Sequence, residues 1–242
     1  MSIFLNHRIN LTNPNLTKLS FVRFGLVGFL FLTGSYSMSS AQAEPYLLAT
    51  WRANSYVPSF YEGKRVPIQG SVVDVRIELL SGGKIVDLKN NEIRWFLDRK
   101  KISSGIGKKN FKFLVQNSEG VDNNIKIQIV NLDGSILLER IIRIPVSRPQ
   151  VALQTIYPRG LGNYSLIEAS AFPYFFNVNT LNKLNFGWKV NNENVQTDED
   201  FHRLRLELDE GQTGFLSLES EVLNPQNKLE KARVSNNFNI LN

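Results

Sequence analysis

Beyond residue 43, apolar and polar residues alternate with a period of two over much of the chain. Clear examples are residues 73–79, 111–115, 125–129, 204–208 and 215–222. A period of two places successive side chains on opposite faces of a β-strand, so that one face can be buried. Helical spacing is nearly absent from the same region. We therefore predict an all-β fold built from antiparallel strands.

The strand pattern occurs twice. Trp95 is followed 93 positions later by Trp188, and each tryptophan lies in a short apolar segment. An alternating segment begins 16 residues after each tryptophan, at Phe111 and at Leu204. A repeat of this length indicates two small domains of one design, each with its own core. We expect both indole rings to lie in those cores.

Turn residues mark the end of the first copy. Asp133-Gly134 separates two alternating segments, which is typical of a β-hairpin because both residues tolerate positive φ. Pro145 and Pro149 then leave little slack in the connection, so we expect a semi-rigid junction. The predicted fold is two tandem immunoglobulin-like antiparallel β-sandwich domains, at residues 44–147 and 148–242.

Residues 1–43 have the pattern of a signal peptide. Basic residues at 8, 18 and 23 precede an apolar run at 24–33, and Ala41-Gln42-Ala43 fits a cleavage site. The alternative is an uncleaved anchor, but the run is shorter than the ~20 residues that a membrane-spanning helix needs. We predict cleavage after Ala43 and no membrane span in the processed chain. The predicted location is the periplasm, the cell surface or the extracellular space.

Charge and cysteine content narrow the possible functions. Residues 44–148 contain 17 basic and 11 acidic residues, whereas residues 149–242 contain 8 and 11. Opposite net charges can favour association of chains or attraction to an anionic surface. The chain contains no cysteine, which excludes disulfides and thiolate chemistry. Aromatic residues are not interleaved with the cations, so nucleic-acid binding is not predicted.

The densest group of positive charges is a candidate interaction surface. It consists of Arg99, Lys100, Lys101, Lys108, Lys109 and Lys112. These residues flank Ile102–Gly107, which we predict to be a flexible loop between two strands. Such a group can bind anionic envelope polymers, lipid head groups or an acidic partner. The alternative is a loop whose charges only favour solubility.

Aromatic side chains supply a second candidate surface. Trp51, Phe172 and Tyr174 could stack on sugar rings. Strand alternation would place Phe172, Tyr174 and Phe176 on one face and Phe175 on the other. The alternative is that these rings pack in a core, which is the commoner use of aromatic residues.

The polar residues do not predict catalysis. His202 is the only histidine beyond residue 43, and it follows the acidic run Asp198–Asp200. A triad needs an oriented nucleophile, and a zinc site needs three or four ligands. We expect His202 to be an exposed residue at a strand edge. The acidic run lacks the ligand spacing of a calcium loop, so we expect a solvated loop. We predict no enzyme activity, cofactor or bound metal.

The tryptophan on a mid-domain strand, the turn at Asn131–Gly134 and the final strand running into Pro145 resemble an immunoglobulin-like core. The pattern is similar to the PKD-like and bacterial Ig-like modules that occur in tandem on exported bacterial proteins. The resemblance implies a structural, adhesive or protein-interaction module of the cell envelope or surface. Its expected partner is an envelope protein or an anionic envelope polymer. The alternative is a carbohydrate-binding module for envelope or extracellular polysaccharide.

Overall fold

The computed structural model describes residues 44–156, 161–162, 165–197, 200–209 and 213–240. The predicted signal peptide, residues 1–43, lies outside this range. The described part of the chain contains no α-helix and belongs to one compact unit, Gln42–Asn242. Its only helical element is a single 3₁₀ turn at Leu181–Lys183.

The first copy of the repeat contributes eight strands in two sheets. They are β1 (Tyr46–Ala53), β2 (Val72–Ser81), β3 (Lys84–Val86), β4 (Glu92–Leu97), β5 (Lys100–Ile106), β6 (Asn110–Leu114), β7 (Asn123–Val130) and β8 (Ile136–Ile144). Strand β2 pairs with β1, β3 and β6, and the other sheet has the order β5-β4-β7-β8. All of these pairs are antiparallel.

The second copy repeats this arrangement. Its strands are β9 (Gln150–Thr155), β10 (Leu161–Gly162), β11 (Leu166–Tyr174), β12 (Asn185–Val190), β13 (Glu193–Val195), β14 (Arg203–Glu207), β15 (Gly214–Asn224) and β16 (Asn227–Ile240). One sheet has the order β14-β11-β9, and the other has the order β10-β16-β15-β12-β13. Only the short β10–β16 pair is parallel among the described strands.

Each copy buries its apolar face around its tryptophan. Trp95 is fully buried, and its ring stacks on Phe111 with the ring centroids 5.4 Å apart. Trp188 is buried in a separate cluster with Ile167 and Phe238. These packed sheet pairs confirm the predicted fold class, two tandem Ig-like antiparallel β-sandwiches.

The repeat extends to individual hydrogen bonds of the two tryptophans. The Trp95 Nε1 donates to the Lys108 carbonyl oxygen at 3.0 Å. The Trp188 Nε1 donates to the Phe201 carbonyl oxygen at 3.1 Å. Donor and acceptor are 13 residues apart in both copies. Each buried indole N–H is therefore satisfied by the same backbone position of its own copy.

The turn after each tryptophan strand is also duplicated. Asp98 and Asn191 both have positive φ, 46° and 50°. The Asp98 Oδ1 accepts a hydrogen bond from the backbone N–H of Asn124, and the Asn191 Oδ1 accepts one from Ser217. Aspartate and asparagine tolerate this conformation better than most residues do. The two turns consequently occupy equivalent positions, 93 residues apart.

The expected loop at Ile102–Gly107 is wrong, because most of it is strand β5. Residues Lys100–Ile106 pair with β4, with a register shift between Trp95 and Phe96. The positive φ of Asp98 and Arg99 reverses the chain within two residues, so that β5 follows β4 directly. Serine and glycine are uncommon in strands, but pairing with the tryptophan strand determines the structure of this segment.

The predicted hairpin of β7 and β8 is present. Its turn contains Gly134 with φ 86°, and the Asp133 Oδ1 accepts hydrogen bonds from the backbone N–H and the hydroxyl of Ser135. After β8, the backbone N–H of Ser147 donates to the Pro67 carbonyl oxygen at 2.9 Å. The connection between the two copies is thus held by a segment of the first copy.

Candidate functional site

The six basic residues of the first candidate surface do not form one cluster. Arg99, Lys100 and Lys101 are exposed at the turn into β5. Lys108 follows the other end of β5, but its side chain runs back along the strand past Gly105. Its Nζ donates to the Ser103 hydroxyl at 2.6 Å. Four of the six cations therefore lie along β5.

The remaining two cations lie against the opposite sheet. The Lys109 Nζ is 3.0 Å from the Glu78 Oε2, and the Lys112 Nζ is 3.9 Å from the Asp74 Oδ2. Both acceptors belong to β2, whereas Lys100 and Lys101 belong to the sheet of β4. Because the chain crosses from one sheet to the other between β5 and β6, residues close in sequence face different surfaces.

The candidate stacking residues already contact other side chains. The Lys64 Nζ lies 3.6 Å from the centroid of the Trp51 ring. Phe172 packs edge-to-face on Phe60 with centroids 5.0 Å apart, and Tyr174 packs in the same way on Tyr61 at 5.5 Å. Phe172 and Tyr174 share the outward face of β11, as expected.

The expected position of Phe176 is wrong. Phe175 has φ 62°, which breaks the strand alternation, and both Phe175 and Phe176 are buried. The Phe175 N–H donates to the Tyr56 carbonyl oxygen and the Tyr56 N–H donates to the Phe176 carbonyl oxygen, each at 2.7 Å. These two hydrogen bonds to the first copy stabilise Phe175 in the left-handed conformation, which a residue in a regular strand does not adopt.

The residues that meet the second copy belong to the crossing segment, residues 54–71, which connects β1 to β2. Its Val57 and Ile68 form a buried cluster with Phe175. Tyr61 and Tyr174 pack against this cluster from its edge. The crossing segment therefore joins the two sandwiches through apolar side chains as well as through backbone hydrogen bonds.

A buried carboxylate organises the second copy at this junction. Glu230 is only 4% exposed. Its Oε2 accepts from the backbone N–H of Asn177 at 2.8 Å and from the Asn224 Nδ2 at 2.9 Å. Its Oε1 accepts from the Nδ2 atoms of Asn177 and Asn227, both at 2.9 Å. Four donors therefore satisfy one desolvated charge.

Asn177 connects Glu230 to the first copy through hydrogen bonds. Its Nδ2 also donates to the Gln69 carbonyl oxygen at 2.9 Å. Its Oδ1 accepts from the Ser71 hydroxyl at 2.6 Å, and that hydroxyl accepts from the backbone N–H of Ile68 at 2.9 Å. The sequence analysis did not identify Glu230 or Asn177. The asparagines at 224 and 227, close to Glu230 in the sequence, are donors that could have indicated a buried carboxylate.

His202 is half-buried rather than exposed, which corrects the expectation from the sequence. Its ring packs edge-on against Phe186 and Phe201. Burial lowers the pKa of His202 below its ordinary value, the charge of Arg203 lowers this pKa further, and Asp200 opposes the shift. Asp200 itself lies 3.6 Å from the Arg203 guanidinium. The aromatic setting thus favours the neutral imidazole.

This setting predicts a pH dependence of stability. Because the folded state binds the His202 proton less tightly than the unfolded state, stability falls as the pH drops through the unfolded pKa of about 6.5. We expect the urea midpoint to decrease more between pH 7 and pH 5 for the native chain than for His202→Gln. Equal decreases in the two chains would contradict the assignment.

The described residues also bear on metal binding and on membrane spans. No group of three or more histidine, cysteine or acidic side chains there is arranged to hold a metal ion. Asp198 and Glu199 of the acidic run lie outside the described residues. No helix within the described ranges is long and apolar enough to cross a membrane.

The fold and the junction define a tandem Ig-like β-sandwich protein. No model of a known protein family and no curated protein matches its sequence. A similar solved structure contains three N-terminal domains of the Highly Immunogenic Outer Capsid protein of bacteriophage RB49, with 10% identity and a TM-score of 0.43. The match covers 81% of this chain and 59% of the phage chain.

Two further solved structures show a more distant similarity. The ectodomain of mouse nectin-like molecule 4 has 13% identity and a TM-score of 0.33, over 79% of this chain and 65% of that chain. The fibronectin(III)-like modules of Clostridium thermocellum CbhA have 14% identity and a TM-score of 0.28, over 80% and 94%.

Proposed function

We propose that the chain is a non-enzymatic exported module of the cell envelope or cell surface, which binds a protein partner through two sandwiches held in a fixed arrangement. The observation that carries this proposal is the hydrogen-bonded junction of Glu230, Asn177 and Ser71. Contacts between domains of one chain usually permit relative motion. Here a buried carboxylate and a network across the junction oppose that motion.

A fixed junction favours binding that uses both sandwiches. Association loses the freedom of every group that becomes ordered, so an arrangement that is already ordered loses less. Two contact areas on a rigid support also act together, because binding at one raises the effective concentration at the other. The junction therefore supports a role in structure or adhesion.

The edge strand β5 is the proposed contact for a partner in the first copy. It lies at the end of its sheet, and its Ile106 side chain is 73% exposed. An extended peptide can add to such an edge through main-chain hydrogen bonds. Arg99, Lys100 and Lys101 at the start of β5 would favour an acidic segment in the partner.

The test is capture from an envelope extract with immobilised residues 44–242. We expect a discrete protein to bind saturably at low salt and to be released at high salt. The double variant Lys100→Gln/Lys101→Gln should reduce capture at least about fivefold, since rim charges mainly affect association. A matched loss of two charges elsewhere, Arg205→Gln/Lys228→Gln, should leave capture unchanged.

Asn177→Ala tests the contribution of the junction. Each sandwich should remain folded, whereas capture should weaken because a partner that spans both sandwiches would have to order the junction when it binds. The proposal would be refuted if the two double variants and Asn177→Ala captured the protein as well as the native chain does. Turnover of an envelope polymer by the purified chain would also refute it.

The alternative of a carbohydrate-binding module that uses Trp51, Phe172 and Tyr174 stays a prediction. A sugar ring would have to displace Lys64 from Trp51, Phe60 from Phe172 and Tyr61 from Tyr174. Membership of the PKD-like group and an anionic envelope polymer as the partner also stay predictions.

A further inference from the structure

A cleft of about 590 Å³ lies where the crossing segment meets β1 and β2. Its charged lining residues are Arg52, Arg65, Asp74 and Lys112. Val178 and Asn179 of the second copy complete one wall. Residues of both sandwiches therefore line the cleft.

The floor of the cleft is one row of the sheet. Arg52 on β1 lies opposite Asp74 on β2, and Asp74 lies opposite Lys112 on β6. Arg65 adds a cation from the crossing segment. Three positive charges thus surround one carboxylate, a balance that favours an anionic ligand.

Asp74 has one oxygen without a partner. Its Oδ2 lies 3.6 Å from the Arg76 Nη2 and 3.9 Å from the Lys112 Nζ. Its Oδ1 is buried and has no hydrogen-bond partner among the described residues. A ligand in the cleft cannot reach this buried oxygen, but the Asp74 side chain is 25% exposed, and its Oδ2 is the acceptor that a ligand can reach. The ligand should therefore carry a hydrogen-bond donor as well as a negative charge.

Tyr56 provides a polar aromatic wall. It is half-buried at the cleft, and burial raises the pKa of its phenol further above neutral pH, where the hydroxyl is protonated in any case. A protonated phenol can donate to a ring oxygen or a hydroxyl group. Cations, a carboxylate acceptor and an aromatic side chain are together suited to a sugar that bears an acid group.

We propose that the cleft binds a hexuronate unit of an acidic polysaccharide, with the sugar carboxylate on Arg52, Arg65 and Lys112 and a ring hydroxyl donating to the Asp74 Oδ2. The inference rests on the proposed function, since it names one ligand class for the same exported module. A polyanion without hydroxyl groups fits less well, because it would be repelled by the Asp74 carboxylate and could not donate a hydrogen bond to it.

The first test is titration of residues 44–242 with trigalacturonate in 150 mM NaCl, followed by calorimetry. Arg65→Gln should weaken binding about tenfold or more, as expected for the loss of a charge-assisted hydrogen bond. The control Lys84→Gln removes a charge from β3, at the far end of the same sheet, and should bind as the native chain does. Oligoglutamate, which has carboxylates but no hydroxyl groups, should bind at least about tenfold more weakly than trigalacturonate.

Asp74→Asn separates recognition of a sugar from simple charge attraction. It makes the cleft more positive, so a purely electrostatic site would bind trigalacturonate more tightly. Our inference expects binding about tenfold weaker, because an ionised acceptor has been lost. Thermal unfolding of each variant checks that the fold is retained.

Three outcomes would overturn the inference: no binding of trigalacturonate by the native chain, unchanged binding by Arg65→Gln, or tighter binding by Asp74→Asn. None of them affects capture of a protein through β5, so failure here is distinguishable from failure of the proposed function.

Discussion

Glu230→Ala is expected to lower the free energy of unfolding by about 3–5 kcal/mol, since a buried donor without a partner costs about 1–3 kcal/mol and four donors lose theirs. The donors are the backbone N–H of Asn177 and the Nδ2 atoms of Asn177, Asn224 and Asn227. Water entering the gap would satisfy some of them, which keeps the loss below the full sum. Urea unfolding of residues 44–242 measures the effect.

Two variants make this result specific. Glu230→Gln keeps the side-chain volume but turns an amide N–H₂ group towards donors, so it should also destabilise the fold. Glu193→Ala removes an exposed carboxylate from β13 and should change the free energy of unfolding by no more than about 0.5 kcal/mol. A Glu230→Ala chain as stable as the Glu193→Ala chain would show that the carboxylate does not organise the junction.

Trp95→Ala is expected to have an effect of similar size, a loss of about 3–5 kcal/mol, because a large ring is removed from a packed core. The ring is fully buried and stacks on Phe111. The variant also leaves the Lys108 carbonyl oxygen without its indole donor. Trp95→Phe should lose less, since it keeps an aromatic ring while giving up the hydrogen bond.

Trp51→Ala is the matched control for this prediction. Trp51 is half-buried and packs only at the edge of the same core, so its loss should be clearly smaller. Chemical denaturation monitored by circular dichroism compares the three variants. Equal losses for Trp95→Ala and Trp51→Ala would show that the core is not centred on Trp95.

Much of the fold could be predicted because its causes are local or periodic. Alternation in residues 73–79 and 125–129 marks strands with one buried face. Asp133-Gly134 specifies a tight turn through residues that accept positive φ. The spacing between Trp95 and Trp188 indicated a duplication that the structure repeats in its hydrogen bonds.

Other features depend on partners far away in the sequence. The serines and glycine of β5 suggest a loop until β4 is placed beside them. Phe175 adopts positive φ only because Tyr56, far earlier in the chain, bonds to both sides of it. Such contacts are invisible to periodicity, which considers one strand at a time.

The candidate sites were harder to predict for the same reason. Glu230 lies in phase with the inward-facing Ala232 on β16, yet a charged residue at such a position usually indicates an exposed face. Its burial follows from the asparagines that meet it at the junction. The row of Arg52, Asp74 and Lys112 requires the register of three strands.

The matched turns at Asp98 and Asn191 create a hazard for a newly made chain. Strands that follow equivalent turns can pair with the wrong copy, and misassembly between neighbouring domains is a known failure of multidomain proteins. The divergence of the strands themselves opposes this error. Ile127 of β7 corresponds to Ser220 of β15, so an exchanged strand would bring a hydroxyl group into the wrong core. The turns are alike in the two copies but the strands differ, so each strand pairs more favourably within its own sandwich.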